Sequence, residues 1–109
     1  MLVLLDHNVP APLSPFLTGH RVEEAKGRGW DTLSNGELLA EAERAGFEVF
    51  LTADKNIRYQ QNLTNRKIAI VVLSTPRWPV LRMRVANVQA AVGAATPGSY
   101  VEVDVPSQP

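Results

Sequence analysis

The apolar positions of the chain fall into short runs that predict β-strands. Three of these runs are continuous rather than alternating, which is typical of parallel strands covered on both faces. They are Leu2–Leu5, Val49–Leu51 and Ile68–Leu73. A fourth strand is predicted over Tyr100–Val103, and a shorter fifth strand is predicted around residues 21–23.

Between these runs the apolar residues recur with a helical period. Residues 35–45 carry apolar side chains on one face, and Ser34 and Glu37 have the spacing of a capping box at their start. Residues 80–92 show the same period, with Pro79 at the first position of the predicted helix.

A further helix is predicted near residues 10–18, where Pro15 would remove one backbone hydrogen bond. Strands that alternate with helices predict an α/β domain with a mostly parallel central sheet and helices on both faces.

Length and composition limit the classes of protein. The 109 residues are enough for one domain, which we place at residues 1–104, followed by a flexible tail over 105–109. The chain has no cysteine, which excludes disulfides and thiolate metal sites. Its formal net charge is zero, so a nucleic-acid partner would require a local basic patch. No apolar run approaches a membrane span or a signal-peptide core, and we expect a soluble, cytoplasmic protein.

Two of the most apolar runs lead into an aspartate. Asp6 directly follows Leu2–Leu5, and Asp54 follows the run Val49–Leu51 in the stretch LTAD. A carboxylate beside a core is costly unless it is paired. In parallel sheets, ligands bind outside the carboxyl ends of the strands, so both aspartates are expected at one functional edge.

A third acid, Glu37, lies in the first turn of a predicted helix and is expected to reach the same edge. Three converging carboxylates repel one another unless a cation binds between them. Oxygen ligands without a histidine or cysteine cluster favour Mg²⁺ or Mn²⁺ over zinc. Asn8 and Asn56 can supply additional neutral oxygens. Such a site predicts phosphodiester hydrolysis.

Each acid also has a purely structural interpretation. Asp6 can cap the segment that follows it, Glu37 can complete the capping box with Ser34, and Asp54 can be a turn residue. The functional interpretation depends on the coincidence of acids at strand ends.

The residues that follow Asp54 are rich in basic, amide and aromatic side chains. Lys55, Arg58 and Tyr59 are candidates for contacts with single-stranded RNA, through its backbone and a stacked base. The alternative is that residues 55–67 form an ordinary solvated surface.

Three motifs together resemble the small PIN-like proteins of the PIN domain superfamily, which includes the VapC-type ribonuclease toxins. They are LLDHNVP at 4–10, NGELL at 35–39 and LTADKNIRYQQNL at 51–63. The resemblance covers residues 2 to about 75. It implies a three-layer α/β/α sandwich and a nuclease site that depends on Mg²⁺ or Mn²⁺.

The resemblance also implies roles for individual residues. Asp6 matches the first-strand aspartate of the family pattern, and Asp54 matches the aspartate of its Thr-x-Asp motif, with Thr52 in place. Glu37 matches an acid at the start of the helix before that strand. The implied catalytic and metal-binding set is therefore Asp6, Glu37 and Asp54, supported by Asn8 and Thr52.

The chain departs from the family pattern at several points. Many relatives have an aspartate where this chain has Asn35, and a second where it has Asn56, which makes both asparagines weaker candidate metal ligands. The helical region that supplies a further acid in longer PIN domains is mostly missing here. Glu23 and Glu24 are its only local substitutes.

Three functions remain open from the sequence. The first is a metal-dependent endoribonuclease that is the toxin of a toxin–antitoxin pair, with RNA, a cognate antitoxin and a second copy of the chain as partners. The second is a catalytically degenerate PIN-like module that binds RNA or a protein. The third is a phosphatase or phosphotransfer receiver, but Ser74, Thr75 and Pro76 stand where a receiver has a lysine.

Overall fold

The described residues form a five-stranded sheet in which all neighbouring strands are parallel. This computed structural model describes residues 1–60, 63 and 66–105, and at residues 59 and 60 it describes the backbone alone. The strands are β1 (Leu2–Leu5), β2 (Arg21–Glu24), β3 (Val49–Thr52), β4 (Ala69–Leu73) and β5 (Tyr100–Val103). All five strand predictions are confirmed, with small shifts at the ends.

The strands lie in the order β2-β1-β3-β4-β5. From β1 the chain moves to β2 at one edge and then returns to β3 on the other side of β1. In the register of β1 and β3, Val3 lies beside Val49 and Leu5 beside Leu51. The gap between the carboxyl ends of β1 and β3 is thus the topological switch point, where open parallel sheets bind their ligands.

Helices cover both faces of the sheet. Helices α1 (Asn35–Arg44) and α2 (Ile57–Gln60) bury Leu38, Leu39 and Ile57 against one face. On the other face lie α3 (Trp78–Leu81), α4 (Val85–Gly93) and a 3₁₀ helix over Ala11–Phe16. They contribute Leu13, Val80, Leu81, Val88 and Val92 to the core. The chain is therefore an α/β domain with an all-parallel sheet, compatible with a three-layer sandwich.

Two helix predictions differ from the structure. The helix predicted near 10–18 is the short 3₁₀ helix, because Pro15 lacks the N–H group that a continuous α-helix needs at that position. The helix predicted over 80–92 is divided by a 3₁₀ turn over Arg82–Arg84. Arg84 has φ −127° and ψ 24°, which interrupts α-helical bonding before α4 begins.

The carboxyl-terminal part of the described chain is attached to the sheet. Val105, which the sequence placed in the tail, is buried, and its backbone N–H donates a hydrogen bond of 2.7 Å to the Ser74 hydroxyl. Residues 106–109, the rest of that tail, lie outside the described residues. None of the helices in the described ranges is long and apolar enough to cross a membrane.

Candidate functional site

Asp6 is a nearly buried carboxylate at the end of β1, with 3% of its surface exposed. Its Oδ2 accepts a hydrogen bond of 2.7 Å from the hydroxyl of Thr52, the last residue of β3. Its Oδ1 accepts a bond of 2.8 Å from the backbone N–H of His7. These two donors offset part of the cost of burying the charge.

Asp54 is linked to the same Thr52 hydroxyl. The backbone N–H of Asp54 donates a hydrogen bond of 3.0 Å to Thr52 Oγ1. Thr52 is fully buried. Its hydroxyl donates to the Asp6 carboxylate and accepts from the Asp54 backbone N–H. This bridge fixes the backbone of Asp54 relative to the carboxylate of Asp6 at the switch point.

Two asparagines donate hydrogen bonds to the Asp54 carboxylate. The Asn35 amide donates to Asp54 Oδ2 at 3.0 Å, and the backbone N–H of Asn56 donates to Asp54 Oδ1 at 3.0 Å. Asn35 is the first residue of α1, so its bond connects that helix to the end of β3. Both positions where many PIN-like proteins have an acid thus hold a donor to Asp54.

Asn8 ties together the loops that follow β1 and β3. Its side-chain Oδ1 accepts a hydrogen bond of 3.0 Å from the backbone N–H of Ala53. The structure therefore brings Asp6, Asn8, Asn35, Thr52 and Asp54 into one network at the carboxyl edge.

Glu37 forms the capping box that its spacing with Ser34 predicts. Its Oε1 accepts bonds of 2.8 Å from the Ser34 hydroxyl and 3.2 Å from the Ser34 backbone N–H. The hydroxyl bond, followed by the backbone bond, lowers the pKa of the exposed Glu37 carboxyl. Its described partners lie at the cap and not in the Asp6–Asp54 network.

The described part of the chain contains no group of three or more aspartate, glutamate, histidine or cysteine residues placed to hold a metal ion. The convergence of three carboxylates is therefore not found there. The described contacts of Glu37 are those of the capping box, in which its Oε1 accepts from the Ser34 hydroxyl and backbone N–H. Metal binding by Asp6, Glu37 and Asp54 stays a prediction.

Among the described residues, no hydrogen bond or ion pair links the alternative acids on β2 to this network. Glu23 pairs with Arg28 at 2.8 Å, and the hydrogen bond from Arg28 lowers the pKa of the Glu23 carboxyl. Glu24 is exposed and lies beside Leu5 in the register of β2 and β1.

The predicted RNA-binding residues lie near carboxylates. Arg58 is 3.5 Å from Glu102 and lies over the Tyr100 ring at 5.7 Å. Lys55 lines a cavity of about 260 Å³ together with Glu102 and Asp104. The Tyr59 side chain lies outside the described residues. Binding of RNA by these residues stays a prediction.

Sequence reasoning missed two residues at this edge. The Nδ1 atom of the His7 ring lies 2.9 Å from Asp6 Oδ1, and the His7 side chain is 61% exposed. Its position next to a strand-end aspartate was the available signal. Asp104 directly follows β5, as Asp6 directly follows β1. The search for an aspartate at the end of a predicted strand would therefore have found it.

Comparison of the chain with protein-family models, curated proteins and solved structures finds no match. The resemblance to PIN-like proteins therefore stays a prediction that rests on the three sequence motifs.

Proposed function

We propose that this chain is a metal-dependent ribonuclease of the PIN-like type, with Asp6 and Asp54 as the central acids. The observation that carries the proposal is the pair of aspartates bound to one buried Thr52 hydroxyl at the switch point of the sheet. A buried carboxylate at the ligand-binding edge of a parallel sheet is costly for stability, and function explains why the cost is tolerated.

The donor set fits Mg²⁺ or Mn²⁺. Magnesium is held in proteins by one or two carboxylates together with water and substrate phosphates, so a two-aspartate site is sufficient. Each Asp54 oxygen accepts one described hydrogen bond, and a carboxylate oxygen has a second lone pair for a further ligand. A bound ion would polarise the scissile phosphate and activate water for in-line attack.

The chain's own residues hold this arrangement before substrate binds. Thr52 sets the relation of the two aspartates, and Asn35 fixes the orientation of the Asp54 carboxylate. The Asn8 bond to Ala53 keeps the two loops at a constant separation. Catalysis benefits from such preorganisation because no free energy is spent on ordering the groups during the reaction.

The three-motif resemblance suggests RNA as the substrate and a toxin role in the cytoplasm. In that role a cognate antitoxin protein would bind the chain and silence it. Expression of the chain alone would then arrest growth, and coexpression with its antitoxin would restore growth.

A second candidate function is a PIN-like module that binds RNA or a protein without cleaving. It is favoured by the hydrogen bond from Asn35 to Asp54, because an amide donor stands where an acid would bind metal. The occupation of Glu37 in the capping box favours it as well.

Cleavage of single-stranded RNA separates the two candidates. The nuclease should cut only with Mg²⁺ or Mn²⁺, and EDTA should stop it. Asp54→Asn should remove cleavage and growth arrest while RNA binding persists. Loss of one acid should lower the cleavage rate far more than the affinity for RNA. Asp31→Asn is the matched control, because it makes the same change at an exposed position outside the Thr52 network, and it should cleave like the parent. A parent that binds RNA but never cuts it would establish the binding module instead.

A further inference from the structure

The basic residues of this electrically neutral chain are concentrated in one stretch. Between Asp54 and Glu102 the sequence has seven lysines and arginines and no acidic residue. They are Lys55, Arg58, Arg66, Lys67, Arg77, Arg82 and Arg84. A net charge of zero therefore conceals a strongly basic segment.

Ion pairing divides the eight arginines into two groups. Five have a glutamate partner, and these are Arg21, Arg28, Arg44, Arg58 and Arg66. The other three, Arg77, Arg82 and Arg84, are all exposed and have no carboxylate at ion-pair distance within the described part of the chain. An ordinary solvated surface mixes both signs of charge, whereas this segment presents one sign only.

Buried neighbours hold the segment with these three arginines in place. Val80 and Leu81 lie in the core, and Trp78 packs against the same cluster. The backbone N–H of Arg77 donates to the Thr75 hydroxyl at 3.2 Å. The charges are thus carried by an anchored segment, which reduces the conformational entropy lost when a ligand binds.

An aromatic pair includes Trp78, the residue that follows Arg77. The ring of Phe16, from the 3₁₀ helix after β1, lies 5.9 Å from the ring of Trp78 at an angle of 43°. Phe16 is 40% exposed, and nearby in sequence Met83 is 58% exposed. Exposed apolar groups that belong to the segment carrying Arg77, Arg82 and Arg84, or that contact it, suit a ligand with both phosphates and flat bases.

One end of this surface, at Arg77, follows closely after the carboxyl end of β4, at the edge of the sheet that carries the two aspartates. Val72 of β4 lies beside Thr52 in the strand register, and Arg77 follows a few residues after the end of β4. Phe16 belongs to the segment that leaves Asp6. One strand separates the end of β4 from the end of β1.

We propose that Arg77, Arg82 and Arg84, with the Phe16–Trp78 pair, form an arginine surface that binds the backbone and bases of single-stranded RNA. The proposal rests on the ribonuclease function above and assigns its substrate contacts to this surface rather than to Lys55 and Arg58. Guanidinium groups match phosphate oxygens in geometry as well as charge, and an aromatic ring stacks on any base.

The test is equilibrium binding of a fluorescein-labelled single-stranded RNA in EDTA, measured by anisotropy across a salt series. Arg82→Ala and Arg84→Ala should each weaken binding roughly tenfold, as loss of a charged hydrogen bond does. Each should also reduce the salt slope by about 0.7, because one fewer counterion is released from the strand. Arg21→Ala and Arg44→Ala are matched controls, since they remove exposed arginines that already have glutamate partners, and they should leave affinity and slope unchanged.

The aromatic contribution has its own measurement. Phe16→Leu keeps an apolar side chain but removes the ring, so it should weaken binding without changing the salt slope. A polyglutamate peptide of equal charge should compete poorly, because it has phosphate-like charge but no bases. Equal competition by that peptide, or equal losses in the control variants, would overturn the proposal.

Binding in EDTA keeps this proposal separate from catalysis. If the parent binds RNA through these arginines but does not cut it with metal, the proposed arginine surface is supported and the proposed ribonuclease function is wrong. If the parent cuts RNA and the arginine variants bind and cut equally well, the nuclease stands and the arginine surface is wrong.

Discussion

The Thr52 hydroxyl donates a 2.7 Å hydrogen bond to the buried carboxylate of Asp6. The bond joins the end of β3 to the end of β1, although the two residues are far apart in sequence. Because the same hydroxyl accepts the backbone N–H of Asp54, one side chain organises both strand-end aspartates.

Thr52→Val should destabilise the fold by about 1–3 kcal/mol. Valine has nearly the same shape, but it leaves the buried Asp6 oxygen and the Asp54 N–H without this partner. The free energy of unfolding from urea titration measures the effect. Thr32→Val makes the same change at an exposed position and should stay within about 0.5 kcal/mol of the parent. Equal values for both variants would mean that the hydroxyl bridge contributes nothing.

Asn35→Asp should lower the stability of the metal-free protein and raise its affinity for metal. It replaces the donor to Asp54 Oδ2 with a carboxylate, so two like charges face each other and the melting temperature without metal should fall. Millimolar Mg²⁺ or Mn²⁺ should then raise the melting temperature more than in the parent, because a cation that binds only the native state stabilises it.

The control for this substitution is Asn87→Asp, which adds the same charge at an exposed position on α4. It should respond to metal like the parent. A response of Asn35→Asp no larger than that of Asn87→Asp would show that position 35 does not adjoin a cation site.

Glu37 should make stability depend on pH in the acidic range. Its pKa is lowered in the folded chain by the Ser34 hydroxyl and then by the Ser34 N–H, so the folded-state pKa lies below the unfolded one. Its contribution is therefore fully present above the unfolded pKa and is lost as pH falls through the folded pKa.

Glu37→Gln retains a capping box whose acceptor does not titrate. Urea titrations of parent and variant should thus diverge as the pH falls below about 4.5, with the parent losing more stability. A stability difference that is constant from neutral to acidic pH would contradict the cap as the source of the lowered pKa.

Much of the fold could be predicted from the sequence because its signals are local. Continuous apolar runs bounded by polar residues identified β1, β3 and β4, and the Ser34–Glu37 spacing identified the start of α1. The division between α3 and α4 could not be predicted, since the apolar period continues across Arg82–Arg84 while the backbone does not.

The candidate site could be predicted only in part. The strand-end positions of Asp6 and Asp54 follow from the apolar pattern, but the Thr52 bridge depends on β1 and β3 being neighbours in the sheet. The spacing of Glu37 fits both a cap and a metal ligand, so sequence could not decide between them. Which arginines form an ion pair within the described part of the chain depends on which glutamates fold next to them, and that is a property of the tertiary structure.

The central claim is that Asp6 and Asp54 together hold a divalent cation. A crystal soaked in Mn²⁺ and measured near the manganese absorption edge tests it directly, because the anomalous signal identifies the ion without assumptions about activity. We expect a peak between the two carboxylates, with oxygen atoms of both aspartates at about 2 Å. A saturating soak with no peak there, and with Asn35 still bonded to Asp54, would contradict the claim.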